Sequence, residues 1–170
     1  MKFCRPLVAI FVLALSGCAA EYVPKGEPSF YRNLAEPGAQ LDAAAAASMI
    51  SGYRSNNGLD AVALDPALMK LAEDQARAMA AKNALDHDAK RPFTARLKAS
   101  GYNAKIAAEN IGAGYHTLAE AFSGWRDSPP HRANMLLKGA SRIGIAAVYA
   151  PNSKYKVFWA LILAEPDTRG

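Results

Sequence analysis

Cysteine is almost missing from this chain. Of 170 residues only Cys4 and Cys18 carry a thiol, both within the first eighteen positions. The chain beyond them has no disulfide and no thiol chemistry, and must hold its fold by packing alone. Long apolar runs are missing too. The run from Leu7 to Leu15 is too short to span a bilayer comfortably as a mature helix. No cluster of Lys and Arg occurs, and no basic stripe interleaved with aromatics. The formal charge of +5 is scattered, which argues against a nucleic-acid partner. An HExxH helix, the usual mark of a zinc protease, is also absent.

What the sequence does have begins at its start. "MKFCRPLVAIFVLALSGC" combines basic residues (Lys2, Arg5), the apolar run and then small residues. That is the pattern of a secretory signal. Its end, "LSGC", resembles a bacterial lipobox, so residues 1–18 are expected to be a lipoprotein signal with Cys18 as the lipidated residue. Loss of Lys2 and Arg5 leaves 18 basic against 15 acidic side chains, about +3. Ala19 rather than Asp follows the cysteine, and this pattern implies passage to the outer membrane. The chain is thus expected to be exported and lipid-anchored in the envelope, with its domain in the periplasm or at the surface.

Residues 19–40 hold three prolines and two glycines with no sustained period, and read as a flexible tether. The folded part is read as 41–165. Hydrophobic content of 51% with 21% charged residues describes an ordinary globular domain of about this length. Asp42 caps a helix that ends at the Asn-Asn-Gly turn of 56–58. Asp65 caps another with Pro66 at its first position, and Leu68, Ala72, Ala76, Met79 and Ala80 share one face. Thr117 and Glu120 make a capping box before Phe122 and Trp125. Ser128 is read as the cap of a short helix that Gly139 closes. The period then switches. "RIGIAAVYA" and "YKVFWALILA" flank "PNSK" and read as an antiparallel hairpin. In its second strand Val157, Trp159, Leu161 and Leu163 face one way, and Phe158, Ala160 and Ile162 the other. Two apolar faces call for cover on both sides, so the fold class is α+β, a three-layer α-β-α sandwich.

A few polar residues stand apart from this packing. His131 falls in the first turn of the helix after Ser128, where the helix dipole disfavours an imidazolium. A neutral imidazole is what a metal or a substrate proton needs. His87 stands between two acids in "LDHDA". Glu109 precedes Asn110 and Ile111 in an apolar, glycine-rich setting, where a buried carboxylate would need a partner. His116 sits directly before the Thr117 cap and is left out of the site. His87, Glu109 and His131 lie in separate segments, so no local spacing makes them a motif. Two imidazoles and a carboxylate would nonetheless make a zinc set with positions open to water.

The order "LDPALMKLAEDQARAMA", "LDHDA", "AENIGAG", "AFSGWRDSPPHRANML", "RIGIAAVY" and "KVFWALILA" resembles a bacterial member of the CAP superfamily, which groups cysteine-rich secretory proteins, antigen 5 and plant pathogenesis-related 1. The resemblance covers about residues 43–164. It implies an α-β-α sandwich with a mostly antiparallel central sheet and a central cleft. In many members two histidines and two glutamates line that cleft, and some bind zinc or another divalent cation. His87 matches the first histidine, Glu109 the glutamate of a "GEN"-like motif, and His131 the second histidine. The second glutamate normally stands three residues after the tryptophan. Here that place is Ser128, with Asp127 beside it, so the tetrad is incomplete.

The expectation carried forward is an envelope lipoprotein, anchored to the membrane through Cys18. Its cleft would bind a divalent metal at His87, Glu109 and His131, and a small, lipidic or protein ligand near Ser128 and Asp127, without catalysis. Three alternatives stay open: a metal-dependent hydrolase in which Glu109 handles the water, a serine nucleophile with Ser128, His131 and Glu109, and a purely structural domain. Asn110 and Asn134 are read as ties between loop backbones, and Trp125 and Trp159 as core.

Overall fold

A computed structural model describes Met1 and residues 26–169 of the chain. The signal, Cys18 and the first part of the tether lie outside the described residues. Among the described residues five α-helices run Ala43–Ser55 (α1), Pro66–Lys82 (α2), Phe93–Ala99 (α3), Leu118–Asp127 (α4) and Pro129–Met135 (α5). Four strands run Ala63–Leu64 (β1), Ala104–Ala113 (β2), Arg142–Ala150 (β3) and Lys156–Pro166 (β4). They form one sheet in the order β1-β3-β4-β2, with β1 parallel to β3 and the other two pairings antiparallel.

The caps fall where the sequence places them. Asp42 Oδ1 accepts from Ala45 N at 2.9 Å. Asp65 Oδ1 accepts from Ala67 N and Leu68 N, and Thr117 and Glu120 complete their capping box. Each satisfies amides that no helical carbonyl can reach. Ser128 does occupy the N-cap position of α5, but its side chain caps nothing. Its hydroxyl is turned to His131 instead. Gly139 sits three residues beyond the helix C-cap Leu136, at φ +82° in the following turn.

The hairpin of β3 and β4 is paired from Arg142↔Ala164 to Ala150↔Lys156. Val157, Trp159, Leu161 and Leu163 of β4 enter a cluster with α1, α4 and α5, including Ile50, Trp125 and Met135. Phe158, Ala160, Ile162 and Ala164 enter the other, with Leu68, Ala72, Ala76 and Met79 of α2. The sandwich is therefore α2 and α3, sheet, then α1, α4 and α5. Helix α2 rides so closely on β3 that a Cβ on Gly144 would stand 2.1 Å from the carbonyl carbon of Leu68.

Residues 26–40, read as tether, lie against the domain. Leu34 is buried in the core, its amide donates to His116 O at 2.7 Å, and Ser29 Oγ donates to Asp42 at 2.7 Å. Phe30, Ala35 and Ala39 pack against the same core, so a few apolar side chains and hydrogen bonds dock a stretch whose composition looks irregular.

Candidate functional site

The site grows out of β2. Glu109 faces the α2–α3 layer with only 2% of its side chain exposed, so its carboxylate needs partners within the protein. Arg96 of α3, itself 8% exposed, places Nη2 at 2.9 Å from Oε1 and 2.7 Å from Oε2. His87 Nδ1 stands 2.9 Å from Oε1. Both carboxylate oxygens are thus taken. Arg96 was missed in the sequence, although Phe93, Arg96 and Leu97 at i, i+3 and i+4 share one face of α3, an arginine among apolar neighbours.

His87 lies in the loop between α2 and α3, which starts where Asn83 ends α2 in the left-handed region at φ 50°. Fully buried Gln75 holds this loop, its Nε2 donating to Asp86 O at 2.8 Å and His87 O at 3.1 Å. Arg96 Nε adds a bond to Arg91 O at 3.1 Å. Gln75 Oε1 and Arg96 Nη1 are buried without a described partner. The backbone of His87 is pinned while its ring stays half exposed.

His131 comes from the opposite side, on the first turn of α5. Its Nδ1 meets Ser128 Oγ at 2.9 Å. Its carbonyl accepts from Asn110 Nδ2 at 2.9 Å, while Asn134 Nδ2 donates to Glu109 O and Asn110 Oδ1. The two asparagines therefore stitch α5 to β2, joining helix to strand where the sequence reading had them tie loop backbones. Burial first, and the nearby His87 second, push the His131 imidazole below its ordinary pKa of 6.5. That shift favours the neutral imidazole, and His87 is its electrostatic neighbour.

The sequence-derived residues do not all meet. Asp127 is exposed and turned to Arg126, at 2.8 and 3.1 Å, which holds its carboxyl below the usual range. It has no hydrogen bond or ion pair with the histidines. His116 stays outside, its amide bound to Glu120. Among the described residues no three His, Cys, Asp or Glu side chains stand where they could hold a metal ion. The reason is local: Arg96 already supplies the positive charge at Glu109, so the His87, Glu109, His131 set does not fit a divalent cation. Nor does a Ser–His–acid relay form. Ser128 contacts His131, but the carboxylate contacts the other histidine, leaving the Ser128 pair without an orienter.

A family model described as "CAP: Cysteine-rich secretory protein family" matches residues 47–163. The chain belongs to the CAP family. A relative from Bacillus subtilis (strain 168), named "Uncharacterized protein YkwD", is 34% identical over 103 residues, 59% of this chain and 40% of that protein. An extracellular protein containing a SCP domain from Bacillus anthracis str. Ames superposes with a TM-score of 0.63 at 22% identity, covering 72% of this chain and 39% of that one. An outer surface protein from Borrelia burgdorferi superposes at 0.64 with 17% identity, covering 76% of this chain and 99% of the other. The CAP chain thus spans under half the length of the two Bacillus proteins, and these solved structures bear on fold alone.

Proposed function

We propose that this CAP domain is a non-catalytic binding domain of the cell envelope, exported and held at the membrane by a lipid on Cys18. One observation carries the reading. Glu109, the carboxylate best placed to activate water, is buried and locked by Arg96 and His87. A general base must reach the proton it takes, and Glu109 is committed elsewhere. What remains open is a polar surface formed by the two imidazoles and Ser128. It suits hydrogen bonding to a small polar group, a lipid headgroup or a protein ligand. Metal is no part of this reading. Export is supported by the signal pattern, and by extracellular and outer-surface proteins among the structures of like fold.

The Ser128–His131 contact favours a second reading, a hydrolase using Ser128. Both are tested on residues 19–170 with peptide, glycan and ester substrates. The binding reading expects no turnover above buffer. Turnover abolished by Ser128→Ala or His131→Ala would establish the hydrolase.

A further inference from the structure

The stretch ahead of α1 is clamped to the domain at two points. Ser29 Oγ donates to Asp42 Oδ2 at the N-cap of α1, and Leu34 N donates to His116 O just ahead of α4. Between these clamps a single 3-10 turn, Ser29–Tyr31, packs on α1 and α4. Phe30 packs against the core cluster of that layer. The ring of Tyr31 leans on it, centroids 4.6 Å apart, yet Tyr31 stays 50% exposed. Among the described residues it is the one aromatic side chain left exposed.

Clamping shortens the tether, and the lengths decide which face can meet a membrane. Gly26, the first described residue of the stretch, stands eight residues after Cys18. Any chain of that length reaches at most about 28 Å. A domain of this size is about 37 Å across. With Cys18 held in a bilayer by its lipid, the α2–α3 layer, on the far side of the sheet from the stretch, is too distant to touch that bilayer. Were residues 26–40 undocked, the reach from Cys18 to Leu41 would be about 80 Å, and any face could turn to it.

We propose that Tyr31 seats the domain on the bilayer that holds Cys18, its ring at headgroup level, with α1 and α4 toward the lipid and α2 and α3 away from it. This rests on the lipid at Cys18 proposed above. A tyrosine has an apolar body and a polar tip, which suits that boundary. Charge does not make the contact. Arg32 beside Tyr31 is outweighed by Glu27 and Glu36 of the same stretch, so the surface met is the boundary of headgroup and acyl chain rather than anionic headgroups. The lipid supplies attachment, and the ring adds a second, weaker contact that fixes orientation.

The test uses residues 18–170, whose single thiol is Cys18, coupled to a maleimide lipid in phosphatidylcholine vesicles. Attachment is then set by the coupling chemistry, and failure of the natural lipid would show separately, in the cell fractionation of Cys18→Ser. Trp125 and Trp159 are 1% and 0% exposed, so their emission is a constant background. Tyr31→Trp is compared with Leu85→Trp, in the loop after α2. Both positions are about half exposed, so neither change threatens the fold. In vesicles with brominated acyl chains, the emission added by Tyr31→Trp should fall about twofold, and that added by Leu85→Trp should hold within about a tenth. The fall should persist at about 0.5 M salt. Three results would overturn the proposal: no quenching of Tyr31→Trp; equal quenching of the two variants, meaning that the domain has no fixed seat; or quenching lost in salt, meaning that charge rather than the ring makes the contact.

Discussion

A carboxylate with 2% of its side chain exposed has to find its counter-charge inside the protein, and Glu109 finds it in Arg96. Breaking such a pair leaves a buried charge alone, which costs about 3–5 kcal/mol. Arg96→Ala should therefore lower unfolding free energy by about that amount in urea titrations, and Glu109→Gln in the same background should recover part of it. A cost of Arg96→Ala below about 1 kcal/mol would mean that the pair is not what holds the site. The imidazole of His131 gives a pH prediction. Its pKa is depressed in the folded state, so the unfolded chain takes up the proton first as pH falls. Its contribution to stability is complete above pH 6.5 and lost progressively on acidification through the lower folded value. Urea midpoints measured between about pH 5 and pH 8 should fall on the acid side, and His131→Gln should flatten that slope. An unchanged slope in the variant would assign the pH dependence to other groups. His87, Glu109, His131 and Ser128 were legible because residue type and the family motifs pointed to them. Arg96 and Gln75 were not, since their roles depend on α3 and α2 reaching across to one loop. Asp127 was misplaced for the opposite reason. Adjacency to Ser128 suggested the cleft, but the end of α4 turns its side chain out to Arg126.

At the scale of the element, helices with a side-chain cap could be read almost to the residue, because the cap bond is local. The β3–β4 hairpin was equally plain from its alternating apolar faces. Strand β1 and helix α3 were not. Two residues of parallel pairing leave no periodicity, and α3 has Pro92 at its N-cap, which supplies no side-chain cap. Packing between elements escaped in the same way. Gly144 looks ordinary in "RIGIAAVYA", yet α2 leaves no room for a Cβ there. Gly144→Ala should cost about 1–3 kcal/mol through forced backbone shifts, read as a lower melting temperature. A neutral effect would show that α2 can lift from β3. Arg54 of α1 is buried to 1% and donates to the carbonyls of Asp60, Met135, Leu137 and Ala140. Burial lowers its pKa, and those carbonyls take the place of water. Arg54→Met leaves several carbonyls of the α5–β3 loop without a donor, at about 1–3 kcal/mol each for those that stay dry. Proteolysis of that loop should accelerate. Unchanged cleavage would show that the loop holds without Arg54.

On the scale of the whole molecule, the three layers divide the chemistry. The α2–α3 layer holds Glu109 through Arg96, the α4–α5 layer brings His131, and β2 joins them. The hydrogen-bonded core needs no disulfide, in keeping with a sequence that keeps its cysteines to the first eighteen residues. Attachment to a membrane, as proposed, rests on a lipid at Cys18. Cys18→Ser should move the protein from the membrane to the soluble fraction of cells, and unchanged fractionation would remove the lipid anchor from the account. Arg96 stands at Glu109 where a metal ion would need the carboxylate, and the proposed role of the cleft, binding without reaction, rests on that pair. Calorimetric titration of zinc into residues 19–170, with His131→Ala alongside, tests it most directly. No one-to-one uptake tighter than about 10 µM is expected in either protein. One zinc per chain bound well below that concentration, and lost in His131→Ala, would contradict it.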